Sequence, residues 1–139
     1  MVRVGDVELC IETFGSPADP TVLLVHGSCA SMLWWPRALC EQLAARGRHV
    51  VRYDSRDTGR STSFPVGEPP YGLRDLADDA VGLLDALRID VAHVVGRSTG
   101  GAVALVAALD HPGRVASLTL IGCTTGDDDL PPMSPAFLD

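Results

Sequence analysis

The chain has 139 residues, of which 46% are apolar, and this is enough for the packed core of one domain. Its 18 acidic residues outnumber its 11 basic residues, all of them arginine, so the formal charge is −7. The acidic balance disfavours nucleic acid or an anionic membrane as a partner, and the absence of lysine excludes Schiff-base and P-loop chemistry.

Four cysteines are scattered along the chain: Cys10, Cys29, Cys40 and Cys123. They form no CxxC pair and no cluster with histidine, so we expect no metal site. Their even number permits disulfides, but residues 1–6 contain no apolar signal core. The longest charge-free stretch, residues 20–36, is too short and too polar to span a bilayer. These features favour reduced thiols in a soluble, cytoplasmic protein.

The N-terminal third of the chain alternates between strand and helix patterns. Alternating apolar residues predict a strand over residues 7–14, and an unbroken apolar run predicts a buried strand over residues 21–25. Helical spacing follows over residues 34–46, and Gly47 ends this helix. Residues 49–53 are a second buried strand.

The pattern continues after a polar loop at residues 54–70. An amphipathic helix is predicted over residues 73–87 and a third buried strand over residues 91–95. Residues 99–109 form an apolar helix with almost no polar face, which indicates a helix buried on all sides. Residues 115–121 are a fourth buried strand.

Residues 122–139 show no clear period and are interpreted as the start of a loop or lid segment. Strands that alternate with helices require βαβ crossovers, so the sequence predicts an α/β protein with a mainly parallel, doubly wound sheet and helices on both faces. Ligands of such sheets bind in the crevice at the carboxyl ends of the strands.

The segment Gly96-Arg97-Ser98-Thr99-Gly100 fits the pattern G-x-S-x-G between a strand and a helix. A serine on a very sharp strand-to-helix turn projects its hydroxyl into the crevice, and glycines two residues before and after it avoid collisions across the turn. The helix that follows points its free N–H groups and positive dipole end at a developing oxyanion. The motif therefore predicts a nucleophile elbow.

His26-Gly27-Ser28 lies at the end of the strand over residues 21–25. A glycine-rich turn after a buried strand can present a backbone N–H group to the crevice. We expect the Ser28 N–H to pair with the Thr99 N–H as an oxyanion hole. The alternative is that His26 and Gly27 only shape the loop.

An ordinary βα turn and a dinucleotide-binding turn are the alternatives for the serine motif. The dinucleotide fingerprint requires G-x-G-x-x-G after the first strand and an acidic residue about 20 residues later. Here the glycines stand at positions 96, 100 and 101, after a late strand. The position of the motif after a late strand and before an apolar helix favours a nucleophile elbow over both alternatives.

Three segments of the chain resemble the α/β-hydrolase superfamily. They are Val25-His26-Gly27, residues 53–61 and residues 94–101. More closely, the chain is similar to the N-terminal half of the aclacinomycin methylesterase family, from residues 5–9 through Trp35-Pro36 to residues 109–111. Arg97 departs from this likeness, because the relatives usually carry a smaller, aromatic or imidazole side chain there.

The resemblance implies hydrolysis of a small-molecule carboxylic ester, for example a methyl ester, without metal or cofactor. It implies Ser98 as the nucleophile and the N–H groups of Ser28 and Thr99 as the oxyanion hole. It further implies a sheet of about eight strands, of which this chain supplies about the first six. The strand at residues 115–121 would then be an exposed apolar edge. We therefore expect residues 1–139 to be the N-terminal part of a single hydrolase domain, truncated and with negligible activity of its own.

A serine hydroxyl needs a histidine to accept its proton and an acid to orient that histidine. In this fold the chain order is serine, acid, histidine. The chain has four histidines, at positions 26, 49, 93 and 111. His26 belongs to the oxyanion loop, and His49 opens a strand at the end opposite the crevice. His93 lies inside the strand before the elbow, and His111 is about 16 Å along the following helix at 1.5 Å per residue.

Acidic residues occur in two loops. Asp127, Asp128 and Asp129 follow the strand at residues 115–121, where a minority of these hydrolases place the acid, but a solvated acidic loop is favoured. Asp54 and Asp57 have arginine neighbours at positions 56 and 60, which favours local ion pairs that brace the loop over catalysis.

Trp34 and Trp35 are open to two interpretations. They could wall an apolar acyl or aromatic pocket, or one of them could simply belong to the core.

Two further functions remain open at this point. A cofactor-free perhydrolase or haloperoxidase would use the same serine and oxyanion hole, and peracid formation would distinguish it from an esterase. A binding module that kept the elbow but lost the base would fail to react with a fluorophosphonate probe. The sequence does not specify the oligomeric state.

Overall fold

The computed structural model describes residues 1–67, 69–125 and 130. The strands within these residues are β1 (Val2–Val4), β2 (Val7–Leu9), β3 (Ile11–Phe14), β4 (Thr21–Val25), β5 (His49–Tyr53), β6 (Ala92–Arg97) and β7 (Val115–Ile121). The helices are α1 (Arg37–Ala44), α2 (Leu73–Ala86) and α3 (Thr99–Asp110), with short 3-10 turns at Met32–Trp34 and Pro112–Arg114.

The central sheet has five strands in the order β3-β5-β4-β6-β7. The pairs β5-β4, β4-β6 and β6-β7 are parallel, and only β3 at one edge runs antiparallel to its neighbour. β1 and β2 form a separate antiparallel hairpin. The predicted α/β class with a mainly parallel sheet is confirmed.

Helices cover both faces of the sheet, as predicted. On one face the apolar sides of α2 and α3 pack with β4, β5 and β6 around residues such as Leu23, Leu83 and Ala104. On the other face Trp35 and Cys40 pack against Val22, Leu24 and Val50. Residues of β4 alternate between these two cores, which explains why its sequence is apolar throughout.

The single strand predicted over residues 7–14 is two strands, and β1 is absent from the sequence-based prediction. The break falls at Cys10, whose N–H donates to Ser61 Oγ at 2.9 Å and whose carbonyl accepts from Asp54 N–H at 2.9 Å. These contacts divert the Cys10 backbone to the loop after β5, so the strand pairing changes partner from β1 to β5.

The helix predicted from residue 34 begins only at Arg37, and this part of the prediction is wrong. Proline restricts the residue before it to extended conformations, and Trp35 accordingly has φ −85° and ψ 102°. Pro36 is the N-cap of α1. The preceding residues form a 3-10 turn, in which Ser31 Oγ accepts from Leu33 N–H.

β7 is an edge strand of the described sheet, as expected, and Leu120 and Ile121 are 38% and 41% exposed. Within the described residues, the helix α3 is covered on only part of its surface. Its buried residues lie along one face against the sheet, whereas Leu109 is 71% exposed. Of residues 122–139, where a lid was predicted to begin, 126–129 and 131–139 lie outside the described residues.

Candidate active site

The loop after β4 and the turn after β6 meet because these two strands are parallel neighbours. The register pairs Val25 with Gly96, which places the residues that follow each strand side by side. A Cβ atom added to Gly27 would lie 3.1 Å from both Ser98 Cβ and Arg97 O. The sheet thus brings the two predicted motifs together at the carboxyl ends of its strands.

Ser98 has the backbone geometry of a strained turn. Its φ of 51° and ψ of −124° lie in a region that non-glycine residues rarely occupy. A serine at a helix N-cap usually caps the helix with its hydroxyl, but Ser98 makes no such hydrogen bond. Its side chain is exposed, and its Oγ has no hydrogen-bond partner among the described residues. The turn therefore leaves this hydroxyl exposed and without a hydrogen bond among the described residues.

A side chain at either glycine of the motif would collide with backbone atoms. A Cβ on Gly96 would lie 2.3 Å from Gly100 O, and a Cβ on Gly100 would lie 2.3 Å from His26 O. Both distances are far below a van der Waals contact with backbone atoms. Gly101, which the motif does not include, is constrained by a side chain instead, because its Cβ would lie 2.5 Å from Cys123 Sγ.

Ser28 and Thr99, the two residues predicted to supply the oxyanion hole, are in contact. Their hydroxyl oxygens Oγ and Oγ1 lie 2.6 Å apart, although 71 positions separate them in the chain. Within the described residues neither backbone N–H donates to an acceptor. Thr99 is also the first residue of α3, where the N–H groups are free and the helix dipole is positive. This arrangement is suited to an anion.

His26 fixes the loop that carries Ser28. Its Nε2 can only accept from the Ser55 backbone N–H at 3.2 Å, so the ring proton is on Nδ1, which donates to Gly27 O at 2.8 Å. Both ring nitrogens are thus occupied, one by Gly27 of the same loop and the other by Ser55 of the loop after β5. His26 is a structural residue here and is not oriented toward Ser98.

The other three histidines also bond away from the elbow. Their partners are Thr21 Oγ1 for His49, Ser117 Oγ for His93 and Asp78 Oδ1 for His111. No histidine of the chain therefore hydrogen-bonds Ser98 in the described structure. The three consecutive aspartates at positions 127–129 lie outside the described residues.

Asp54 braces the loop, but not through the predicted ion pairs. Its Oδ1 accepts from Met32 N–H at 2.8 Å and its Oδ2 accepts from Arg60 N–H at 3.2 Å, both of them backbone donors. The Arg60 guanidinium instead donates to Cys10 Sγ at 3.4 Å. Asp54 is buried, and it connects the 3-10 turn after the oxyanion loop to the loop after β5.

Asp57 also has partners other than the predicted arginines. Tyr71 Oη donates to its Oδ2 and Phe64 N–H donates to its Oδ1, each at 2.6 Å. These two donors hold the pKa of Asp57 below its usual value, with the tyrosine contributing most. Burial, followed by the hydrogen bond to Asp57, raises the pKa of Tyr71 to about 12.

Arg56 forms its ion pair with Asp79 on α2. Two hydrogen bonds of 2.7 Å join the guanidinium to the two carboxylate oxygens, and both side chains are buried. The guanidinium also lies 5.1 Å from the Tyr71 ring centroid. The expectation of local pairing within the loop is therefore wrong, because the helix α2 supplies a better-placed carboxylate.

A cavity of about 220 Å³ lies beside these elements. Ser28, Cys29 and Thr99 line it on the side of the oxyanion loop and the elbow, and Tyr71 and Leu76 contribute apolar surface. The roles of Tyr71 and Cys29 were not predicted, and no local pattern could have indicated them because their neighbours are remote in sequence.

The two tryptophans differ in environment, which agrees with the interpretation that one of them belongs to the core. Trp35 is buried in the core against α1, whereas Trp34 is 43% exposed. Arg97 Cζ lies 4.1 Å from the centroid of the Trp34 ring. Trp34 thus borders the elbow through Arg97.

Other kinds of site are not seen in the described part of the chain. No three His, Cys, Asp or Glu side chains come together there as metal ligands. All four cysteines are free thiols. None of the described helices has the length and apolar character to cross a membrane.

Comparison with known proteins identifies the fold family. The model of the alpha/beta hydrolase fold family matches residues 20–139. This chain belongs to the α/β-hydrolase family. The predicted resemblance to methylesterases is confirmed, because rhodomycin D methylesterase DauP of Streptomyces sp. (strain C5) is 44% identical over 121 residues, which are 87% of this chain and 41% of that protein.

Other α/β-hydrolases are similar at comparable levels. A putative carbamate hydrolase, RutD of Caulobacter segnis, is 40% identical over 86% of this chain and 45% of its own length. Epoxide hydrolase A of Mycobacterium thermoresistibile superposes with a TM-score of 0.79 at 34% identity, over 86% of this chain and 37% of that structure. The chain spans less than half the length of these curated relatives. Because one fold carries several chemistries here, the function must be argued from the site.

Proposed function

We propose that the protein containing this chain is a serine hydrolase that cleaves a carboxylic ester, with no metal or cofactor. The observation that carries the proposal is the position of Ser98. Its unbonded hydroxyl stands on a strained turn beside the unpaired N–H groups of Ser28 and Thr99. A nucleophile next to two converging donors is the arrangement that acyl transfer requires.

The reaction proceeds through an acyl-enzyme. Ser98 Oγ attacks the ester carbonyl carbon while its proton passes to a histidine base, and the carbonyl oxygen becomes an oxyanion held by the Ser28 and Thr99 N–H groups. The tetrahedral intermediate collapses, the alcohol leaves with that proton, and the acyl group remains on Ser98. Water then attacks the acyl carbon with the same histidine as base, and the carboxylic acid is released.

The base and its acid come from a part of the protein that this sequence does not span. This proposal rests on two observations: the four histidines bond elsewhere, and the curated relatives are more than twice as long as the matched segment. The 139-residue chain by itself is accordingly expected to hydrolyse esters negligibly. A serine without a base is a weak nucleophile.

A methyl ester is the favoured substrate, because methylesterase relatives at 44% and 42% identity match the chain over 87% of its length. A carbamate is the second candidate, since putative carbamate hydrolases match at 40%. Both substrates present a carbonyl to the same nucleophile and differ in the atoms beside it.

The test compares methyl esters and carbamates of matched size with the gene product that carries this sequence at its natural length. We expect hydrolysis of the methyl ester to be the faster and to disappear in Ser98→Ala. Faster cleavage of the carbamate would select the second candidate. Turnover that survives the substitution would refute the serine mechanism.

A further inference from the structure

The hydroxyl groups of Ser28 and Thr99 form a pair that the two-donor oxyanion hole does not use. The oxygens are 2.6 Å apart, a short O–H···O hydrogen bond, and either residue can be the donor. Both side chains are exposed and line the cavity beside the elbow. Their backbone N–H groups are the proposed donors, so the hydroxyl pair stands next to the oxyanion.

The two hydroxyl groups have one proton more than the hydrogen bond between them uses. Each hydroxyl carries one proton and can accept two hydrogen bonds. The bond between Ser28 and Thr99 uses one proton, and the second has no acceptor among the described residues. Whichever way the pair is oriented, one O–H group therefore remains available to a ligand.

Ser28 is the better placed of the two to use this proton. The oxygen of a serine side chain is separated from its own backbone nitrogen only by Cα and Cβ, so an atom that accepts from the Ser28 N–H lies close to Ser28 Oγ. Rotation about the Cβ–Oγ bond can then turn the hydroxyl proton toward that atom while Oγ stays in contact with Thr99. Thr99 is β-branched and sits in the first turn of α3, so its hydroxyl is held more rigidly and acts as the fixed partner.

We infer that the Ser28 hydroxyl is a third donor to the oxyanion, oriented by a hydrogen bond that it accepts from the Thr99 hydroxyl. The resulting chain runs from Thr99 O–H to Ser28 Oγ and from Ser28 O–H to the negatively charged oxygen. A hydroxyl that accepts one hydrogen bond becomes a better donor in the next, and a bond to a full charge is stronger than one to the neutral ester carbonyl. The inference rests on the proposed function, since it requires an oxyanion on a carbon bonded to Ser98.

The inference predicts different effects for the two hydroxyl groups. Ser28→Ala keeps both backbone N–H groups and removes the third donor, so we expect kcat to fall by about 10- to 100-fold with little change in KM. Thr99→Val is nearly isosteric and leaves the Ser28 hydroxyl in place, so its loss should be only about 2- to 5-fold. Thr99→Ser, which restores a hydroxyl, should recover most of that loss.

A purely structural role for the pair would give another pattern. If the bond only pins the loop to the elbow, Ser28→Ala and Thr99→Val break the same contact. They would then lower kcat equally, and the double variant would be no worse than either single variant. That result, or an unchanged kcat in Ser28→Ala, would overturn the inference.

A thionoester of the same substrate gives a second readout, because sulfur is a weaker acceptor than oxygen. The preference for the oxygen ester should shrink in Ser28→Ala and persist in Thr99→Val. All variants are measured in the natural-length gene product, with Ser98→Ala alongside. If Ser98→Ala retains activity, the proposed function itself fails; if it is inactive and Ser28→Ala is normal, only the third donor is refuted.

Discussion

The guanidinium of Arg97 lies over the indole of Trp34, with 4.1 Å between Arg97 Cζ and the ring centroid. Arg97 directly precedes the candidate nucleophile, and Trp34 belongs to the 3-10 turn that follows the oxyanion loop. Arg97 Nη1 also lies 3.6 Å from the position that a Cβ on Gly27 would occupy. Arg97 therefore links the loop after β4 to the turn after β6.

Removing the positive charge of Arg97 should weaken its contact with the Trp34 ring and lower the stability of the protein. We expect Arg97→Met to lower the free energy of unfolding by about 0.5–1 kcal/mol, because a partly exposed cation–π contact is worth about that much. Urea unfolding of Arg97→Met, Trp34→Leu and the double variant isolates the contact. Arg46→Met, an exposed arginine on the same protein, is the control. Strictly additive effects of the two substitutions would contradict a direct contact.

Gly100 should not tolerate a side chain. A Cβ there would meet His26 O at 2.3 Å and Val25 O at 2.5 Å, and these are backbone atoms at the end of β4 and directly after it, which cannot move aside as a side chain can. We expect Gly100→Ala to cost about 3 kcal/mol or more. Gly113→Ala is the matched control, since no atom of the described residues lies within 4 Å of its Cβ position, and it should be neutral or slightly stabilising. Equal melting temperatures for the two variants would show that the elbow is not as tight as described.

Breaking the buried ion pair between Arg56 and Asp79 should lower the free energy of unfolding far more than breaking an exposed ion pair. Asp79→Asn removes the buried carboxylate that binds the Arg56 guanidinium and leaves only the exposed Asp6 carboxylate at 3.8 Å, so we expect a loss of about 3 kcal/mol in the free energy of unfolding. Arg74 and Asp110 form an ion pair whose arginine is 80% exposed, and Asp110→Asn should cost less than about 1 kcal/mol. If denaturant unfolding shows comparable losses for Asp79→Asn and Asp110→Asn, burial does not strengthen the Arg56–Asp79 ion pair.

The two tyrosines of the chain should ionise at a higher pH than a free tyrosine side chain does. Burial raises the pKa of Tyr53, and burial together with the Asp57 carboxylate raises that of Tyr71 to about 12. The folded state then binds the Tyr71 proton more tightly than the unfolded state does. This contribution to stability is complete below about pH 10 and is lost as the pH rises toward 12.

The phenolate absorbance of the folded protein tests this assignment. We expect no ionisation step near pH 10, and Asp57→Asn should lower the pKa of Tyr71 by removing its charged acceptor. Asp90→Asn, at an exposed carboxylate away from both rings, should leave the curve unchanged. A step near pH 10 in the unsubstituted protein would contradict the raised pKa values, and an unchanged curve in Asp57→Asn would contradict the hydrogen bond between Tyr71 and Asp57.

Much of the fold followed from local patterns. The runs that became β4, β5 and β7 are apolar enough to be recognised as strands of a parallel sheet, and the G-x-S-x-G context located Ser98 because steric rules at a sharp turn are local. The split at Cys10 could not be foreseen, since it depends on hydrogen bonds to Ser61 and Asp54, about 50 and 44 positions away.

The partners of the loop acids were mispredicted for the same reason. Neighbours in sequence suggested Arg56 and Arg60, but the fold offers Asp79 to Arg56 and backbone donors to Asp54. The hydroxyl pair of Ser28 and Thr99 likewise exists only because the register of β4 and β6 aligns their ends. Side-chain contacts across the sheet are a tertiary property that no single segment encodes.

Ser98 is the proposed nucleophile, and covalent labelling of its hydroxyl tests this role. Arg97 and Arg114 flank the site, so trypsin releases residues 98–114 as one peptide in which Ser98 is the sole serine. After treatment of the natural-length gene product with a fluorophosphonate, mass spectrometry should find the phosphonyl adduct on this peptide and on no other. In Ser98→Ala the adduct and ester hydrolysis should both disappear. An adduct on another peptide, or undiminished turnover in Ser98→Ala, would contradict the account.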